Sequence, residues 1–177
     1  GHTLGLMHNM AASAAYPVEK LRDPAFTQKY GTTPSIMDYA RFNYVAQPTD
    51  KGVKLTPPEL GEYDYYVIKW LYSYLPGDKS AREEAKTLET WVDEKAGDPM
   101  YRYGKQQVAS RYDPSALEED LGDDPLKASQ YGIKNLQYIS SHLNEWITDD
   151  PTAEHRKAFY DQIAKQYARY VNNVLYN

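Results

Sequence analysis

Three times after residue 110 the sequence reads Asp-Pro at the head of a segment with no strand pattern. Asp113-Pro114 opens a short turn of helix that ends near Gly122, and Asp124-Pro125 opens a longer run through Leu126, Ile133, Leu136, Leu143 and Trp146. Asp150-Pro151 opens the last run, which carries Phe159, Ile163, Tyr167, Tyr170, Val171 and Val174 at three- and four-residue spacings. This dipeptide starts helices for a physical reason. The carboxylate accepts first-turn amides that have no partner inside the helix, and Pro has no amide to satisfy. Two capping boxes add two more helices. Thr56-Pro57-Pro58-Glu59 precedes Tyr63, Tyr66, Val67, Trp70, Leu71 and Tyr74 and is stopped by Pro76-Gly77. Ser80-Ala81-Arg82-Glu83 precedes Ala85, Leu88, Trp91 and Val92, with Gly97 marking the end. At most Val53-Lys54-Leu55 can extend, and no internal repeat is visible. The chain therefore reads as one mainly α domain over residues 1–177, an irregular segment over 1–55 followed by an α-helical bundle over 56–177.

Composition narrows the function classes. Lys and Arg number 20 against 25 Asp and Glu, a net charge of −5, and no basic tract is present, which argues against a nucleic-acid partner. With mean hydropathy −0.77 and no apolar run near the roughly 18 residues a span needs, no membrane span is expected in this segment. Zero Cys excludes a disulfide framework and thiol catalysis. Tyr outnumbers Phe 18 to 3, which favours half-buried packing seams, since the ring is apolar and its tip polar.

The irregular segment is punctuated by Pro17, Pro24, Gly31, Pro34, Pro48 and Gly52 yet carries Tyr16, Phe26, Tyr30, Ile36, Met37, Tyr39, Phe42 and Tyr44. A long irregular stretch with such residues is ordered and is the place to look for chemistry. It begins Gly1-His2-Thr3-Leu4-Gly5-Leu6-Met7-His8-Asn9. On a straight helix two His six apart face about 240° away from each other. Gly5 removes the obstacle, because a left-handed glycine can end the helix carrying His2 and swing His8 back toward it. Two imidazoles then converge on one metal ion.

His2-x-x-Gly5-x-x-His8 resembles the second half of the zinc signature H-E-x-x-H-x-x-G-x-x-H of the metzincin metallopeptidases. Ser35-Ile36-Met37-Asp38-Tyr39 resembles their Met-turn, with Met37 placed 29 residues after His8 as a structural floor. Further along, Tyr63-Asp64-Tyr65-Tyr66, Asp120-Leu121-Gly122-Asp123-Asp124 and Tyr131-Gly132-Ile133 look like a family of exported bacterial zinc-dependent metallopeptidases. Its Met-zincin region was long catalogued as a domain of unknown function. The resemblance implies the C-terminal subdomain of a metzincin plus a helical extension, with Zn2+ held in the parent enzyme by His2, His8 and a further His before residue 1. The general-base Glu also falls before residue 1, so this segment alone is expected to be inactive and its zinc site incomplete. Peptide or protein substrate and the N-terminal catalytic lobe of the same full-length chain are the implied partners. The implied setting is exported, periplasmic or on the surface of a Gram-negative cell.

Resemblance also assigns Tyr39 to the oxyanion of a tetrahedral intermediate, against the alternative of a packed aromatic. Arg41, Phe42 and Asn43, which follow the Met-turn, are expected in the wall of a substrate pocket. Asn9 either holds a turn or supports a ligand, and Asp38 either orients a ligand or caps the Met-turn, the cap being favoured. For Asp120, Asp123 and Asp124 helix capping accounts for the cluster better than calcium, because the spacing fails the EF-hand pattern. His142 and His155 receive no metal. The Tyr-rich helix over 56–75 is read as core packing ahead of a ligand groove. The competing functional class is a non-catalytic helical module that binds protein or glycan; a degenerate peptidase is the third.

Overall fold

A computed structural model describes residues 1–56 and 59–175. Among them are five α-helices and no strand: α1 Pro24–Tyr30, α2 Glu62–Tyr72, α3 Ala81–Asp93, α4 Pro125–Trp146 and α5 Glu154–Leu175. The fold is mainly α, as expected. Short 3-10 turns at His2–Leu4, Ser13–Ala15, Val18–Arg22 and Pro99–Tyr101 bend the rest, and Val53-Lys54-Leu55 forms no strand.

The Asp-Pro rule works at more places than the periodicity had indicated. Asp124 accepts the Lys127 amide at 2.9 Å to start α4. Asp23-Pro24 does the same inside the irregular segment, where Asp23 takes the amides of Ala25 and Phe26 at 2.9 and 3.3 Å and starts α1. Asp150 accepts from His155 and Arg156 at 3.3 and 3.0 Å, although α5 begins only at Glu154. Asp113-Pro114 is the exception and starts no helix. The Asp113 carboxylate accepts the Ser115 amide at 3.0 Å and its carbonyl the Ala116 amide at 3.2 Å, so one turn forms and goes no further, with the Gln107 side chain donating to the carbonyls of Asp113 and Ala116 at 2.8 Å each.

α3 starts as expected, Glu83 accepting from both the amide and the hydroxyl of Ser80 at 2.9 and 2.7 Å. α2 does not start at the Thr56 box, of which Pro57 and Pro58 lie outside the described residues. Its first turn is closed instead by Asp64, which accepts the Gly61 amide at 2.9 Å. The Tyr-rich helix packs less completely than expected, with Tyr63 buried but Tyr65 and Tyr72 exposed.

The hydrophobic core belongs to the irregular segment. Tyr16, Val18, Leu21 and Val45 are buried with Leu121 and Ala128 from the other end of the chain, and Met10 and Ala11 with Ala116. The helices after residue 60 stand around this core in two groups. α4 and α5 pack on each other, and their base is tied to residues 44–46 by Asn135, whose amide donates to the carbonyls of Tyr44 and Ala46 at 2.8 Å each. α2 packs against Pro99–Tyr101 and meets α3 through the Trp70 indole, which donates to Leu88 O at 3.3 Å.

Candidate metal centre

The loop from Gly1 to Asn9 is shaped by one glycine. Gly5 sits at φ 81°, ψ 7°, the left-handed region that a side chain disfavours, and its amide donates to His2 O at 2.9 Å to close the 3-10 turn. The reversal brings the two imidazoles together, with His2 Nε2 and His8 Nε2 3.2 Å apart and the rings edge to face.

Hydrogen bonding on the far side of each ring sets the chemistry between them. His2 Nδ1 lies 2.8 Å from Leu6 O, and His8 Nδ1 lies 3.1 Å from Met37 O. A carbonyl only accepts, so both Nδ1 atoms carry the proton, and in the neutral rings both Nε2 atoms are bare lone pairs aimed at the same space. Two acceptors facing at that distance repel unless a cation lies between them. Two nitrogens bound at about 2.0–2.1 Å to one tetrahedral zinc are separated by about 3.3 Å. The donor set and its spacing therefore fit a divalent metal, and the two carbonyls are the usual outer partners that fix the tautomer of a metal-binding His. Among the described residues no group of three or more His, Asp or Glu converges, so the pair by itself offers two nitrogens to a metal.

Met37 lies directly behind this loop. It is buried, and a Cβ added at Gly1 would fall 2.0 Å from its sulfur, so the Met37 thioether packs against the Gly1 backbone. Its carbonyl also accepts the Asn9 amide at 2.9 Å. The turn carrying Met37 is held from below by a residue that sequence reasoning had given no role. Asp64, buried in the first turn of α2, accepts Ser35 Oγ at 2.7 Å and the Ile36 amide at 3.0 Å, and Ser35 Oγ in turn accepts the Met37 amide at 3.0 Å. α2 can come this close only because residue 61 lacks a side chain, since a Cβ there would lie 2.2 Å from Pro34 O.

Tyr39 stands beside the pair, its ring centroid 4.3 Å from that of His8, and it is half-exposed. Beyond it opens a cleft of about 460 Å³ walled by Asp38, Tyr39, Ala40, Arg41, Phe42 and Glu119. Arg41 and Phe42 thus line it, but Asn43 does not. Asn43 is buried, its amide donating to Leu21 O at 2.7 Å and Lys54 O at 3.1 Å, so it clamps two loops and cannot reach a substrate.

Asp38 meets the Tyr39 backbone within its own turn and also bonds across to a second segment. Its carboxylate accepts the Ser13 amide at 2.6 Å, while its other oxygen is buried without a partner. Ser13 Oγ donates to the fully buried Asp120 at 2.9 Å, so one serine separates two acids. Burial, then the charge of Asp120, pushes the Asp38 carboxyl well above the ordinary range. Burial also pushes Asp120 up to about 6. Asp123 accepts the Val18 amide at 2.9 Å, so the acidic cluster is consumed by internal bonds and holds no common point for calcium. Asn9 likewise supports no ligand ring, its side chain pairing with Arg102 O and the Gly104 amide at 2.9 Å each. His142 stacks with Trp146 on α4 and His155 sits in the first turn of α5.

A family model described as Met-zincin matches residues 1–177. No curated protein and no solved structure matches the chain.

Proposed function

The chain belongs to the Met-zincin family, and from that premise we propose that it is the C-terminal part of a zinc-dependent metalloendopeptidase that hydrolyses peptide bonds. Membership itself makes it a metallopeptidase-related domain of a family that implies zinc. The observation that carries the finer reading is the facing pair of Nε2 lone pairs 3.2 Å apart, each ring locked by a backbone carbonyl behind it.

In this reading His2 and His8 are two zinc ligands, and the third His and the general-base Glu precede Gly1. Zinc, when bound, supplies an activated water at neutral pH and polarises the scissile carbonyl. The rest is done by residues of this chain. Leu6 O and Met37 O keep the Nδ1 protons in place and so keep the Nε2 atoms available as ligands. Met37 fixes the floor on which the ligand loop rests. Tyr39 is near enough to His8 to donate its phenolic hydrogen to the oxygen that becomes negative in the tetrahedral intermediate, the kind of interaction that strengthens only as charge develops. The substrate is a peptide or protein met outside the cytoplasm.

The test is zinc analysis and casein cleavage by the full-length protein. One zinc per chain with proteolysis supports the reading; bound zinc with no cleavage leaves the metal site and removes the peptidase. In the active protein Tyr39→Phe is expected to lower kcat by about 100-fold or more with little change in KM. A change confined to KM returns Tyr39 to packing.

A further inference from the structure

The cleft beside Tyr39 borders a cluster in which two guanidiniums share one carboxylate. Glu119 is ion-paired with Arg41 and with Arg169 of α5, so one carboxylate is shared by two guanidiniums. Its backbone is held at φ 63°, a left-handed conformation uncommon for Glu that persists only when the surroundings impose it. Arg169 reaches it from α5 and Arg41 from the segment after the Met-turn, so two distant parts of the chain converge on it. The Arg41 side chain is half exposed, that of Glu119 mostly covered. The remaining acid of the wall, Asp38, is pushed up by burial, which reduces the negative charge it adds.

We propose that this cleft binds an acidic side chain, Asp or Glu, of the peptide substrate close to the scissile bond, and that Arg41 is its specificity-determining residue. This rests on the peptidase reading above and adds the substrate class. The cluster of two guanidiniums and one carboxylate carries a surplus positive charge, with Arg41 and Glu119 on the cleft wall and Arg169 reaching Glu119 from α5. Arg41 bonds Glu119 through one terminal nitrogen and keeps other N–H groups for a carboxylate, which a guanidinium binds in a forked, directional way. Engagement of substrate does not strand Glu119, because Arg169 stays on it. Phe42, largely exposed on the same wall, offers apolar surface to the methylene stem. A basic side chain would meet the surplus charge and be rejected.

The experiment uses the full-length protein and a set of peptides identical except for Glu, Gln or Lys, scanned through the positions flanking the cleaved bond. At one position Glu is expected to raise kcat/KM by about 10-fold or more over Gln, mainly through KM, with Lys poorer than Gln. Arg41→Gln brings the Glu peptide to the level of the Gln peptide, and Arg41→Lys restores part of the difference. Arg169→Gln, which removes the surplus charge, weakens the preference. Calorimetry on the zinc-free full-length protein gives the same ranking for binding without cleavage. Equal treatment of Glu and Gln peptides in both measurements, no detectable binding of either, or a preference that survives Arg41→Gln, overturns the assignment of the cleft. Failure to cut any peptide while the binding preference stands overturns the peptidase reading and leaves the acidic subsite.

Discussion

At Asp120 the chain hides a carboxyl to which the Ser13 hydroxyl donates from 2.9 Å away. Burial raises it from 3.8 to about 6, so between those values the folded protein binds a proton more readily than the unfolded chain. Stability from this group is therefore full at low pH and is lost as pH rises through about 4 to 6, by on the order of 3 kcal/mol. Asp120→Asn, which mimics the neutral acid, is expected to match the wild type near pH 4 and exceed it at pH 7. Urea denaturation at a series of pH values checks this, and a wild type–variant difference that stays constant with pH would show an ordinary carboxyl. The Asp124 cap was readable from its Asp-Pro pair. The burial of Asp120 was not legible beforehand, because Asp120 looks like any member of an acidic run, and only the fold shows that it and Leu121 face inward. The histidines were legible for the opposite reason. His2, Gly5 and His8 interact over a few residues of chain, so local stereochemistry decides where the rings go. Asn43 was misread for want of a direction, since its place after the Met-turn is compatible with a side chain facing the cleft or the core.

The elements show which local signals are decisive. An Asp-Pro start is self-contained, and Asp124→Ala is expected to cost about 1 kcal/mol, the loss of one cap. At Asp113-Pro114 the same letters start a single turn that does not continue, and Gln107, six residues upstream, donates to the carbonyls of Asp113 and Ala116. The start of α2 was hidden in a different way. With Gly61 at the cap there is no capping side chain, and Asp64 reads as one more polar residue among tyrosines. Yet Asp64 joins α2 to the turn carrying Met37 through Ser35, Ile36 and Gly61. Removing this acceptor strands three donors, one buried and two partly buried, so Asp64→Ala is expected to cost about 3 kcal/mol, several times the Asp124 cap. Thermal or urea unfolding of the two variants side by side distinguishes them. Equal losses would mean that α2 holds the turn by packing alone.

In the whole molecule the core and the candidate metal loop share the irregular segment, and the helices brace it from outside. Periodicity speaks for helices, so the mainly α class was readable; the long-range closure of residues 9–10 onto 104, or 13 onto 120, has no periodic signature. This arrangement separates metal binding from folding in a measurable way. His2 is exposed and contributes little burial, whereas Met37 is buried beneath the loop. A metal held only by the folded protein stabilises it by mass action, about 2.7 kcal/mol at a free concentration 100 times its Kd. For the full-length protein, zinc is thus expected to raise the unfolding midpoint and a chelator to reverse the rise. His2→Ala should abolish that increment while moving the zinc-free midpoint by no more than about 0.5 kcal/mol. Met37→Ala should do the converse first, lowering the zinc-free stability by about 2–5 kcal/mol through a cavity under the loop. If zinc gives the same increment to His2→Ala as to the wild type, the ion is bound elsewhere. The facing imidazoles would then have no ligand role.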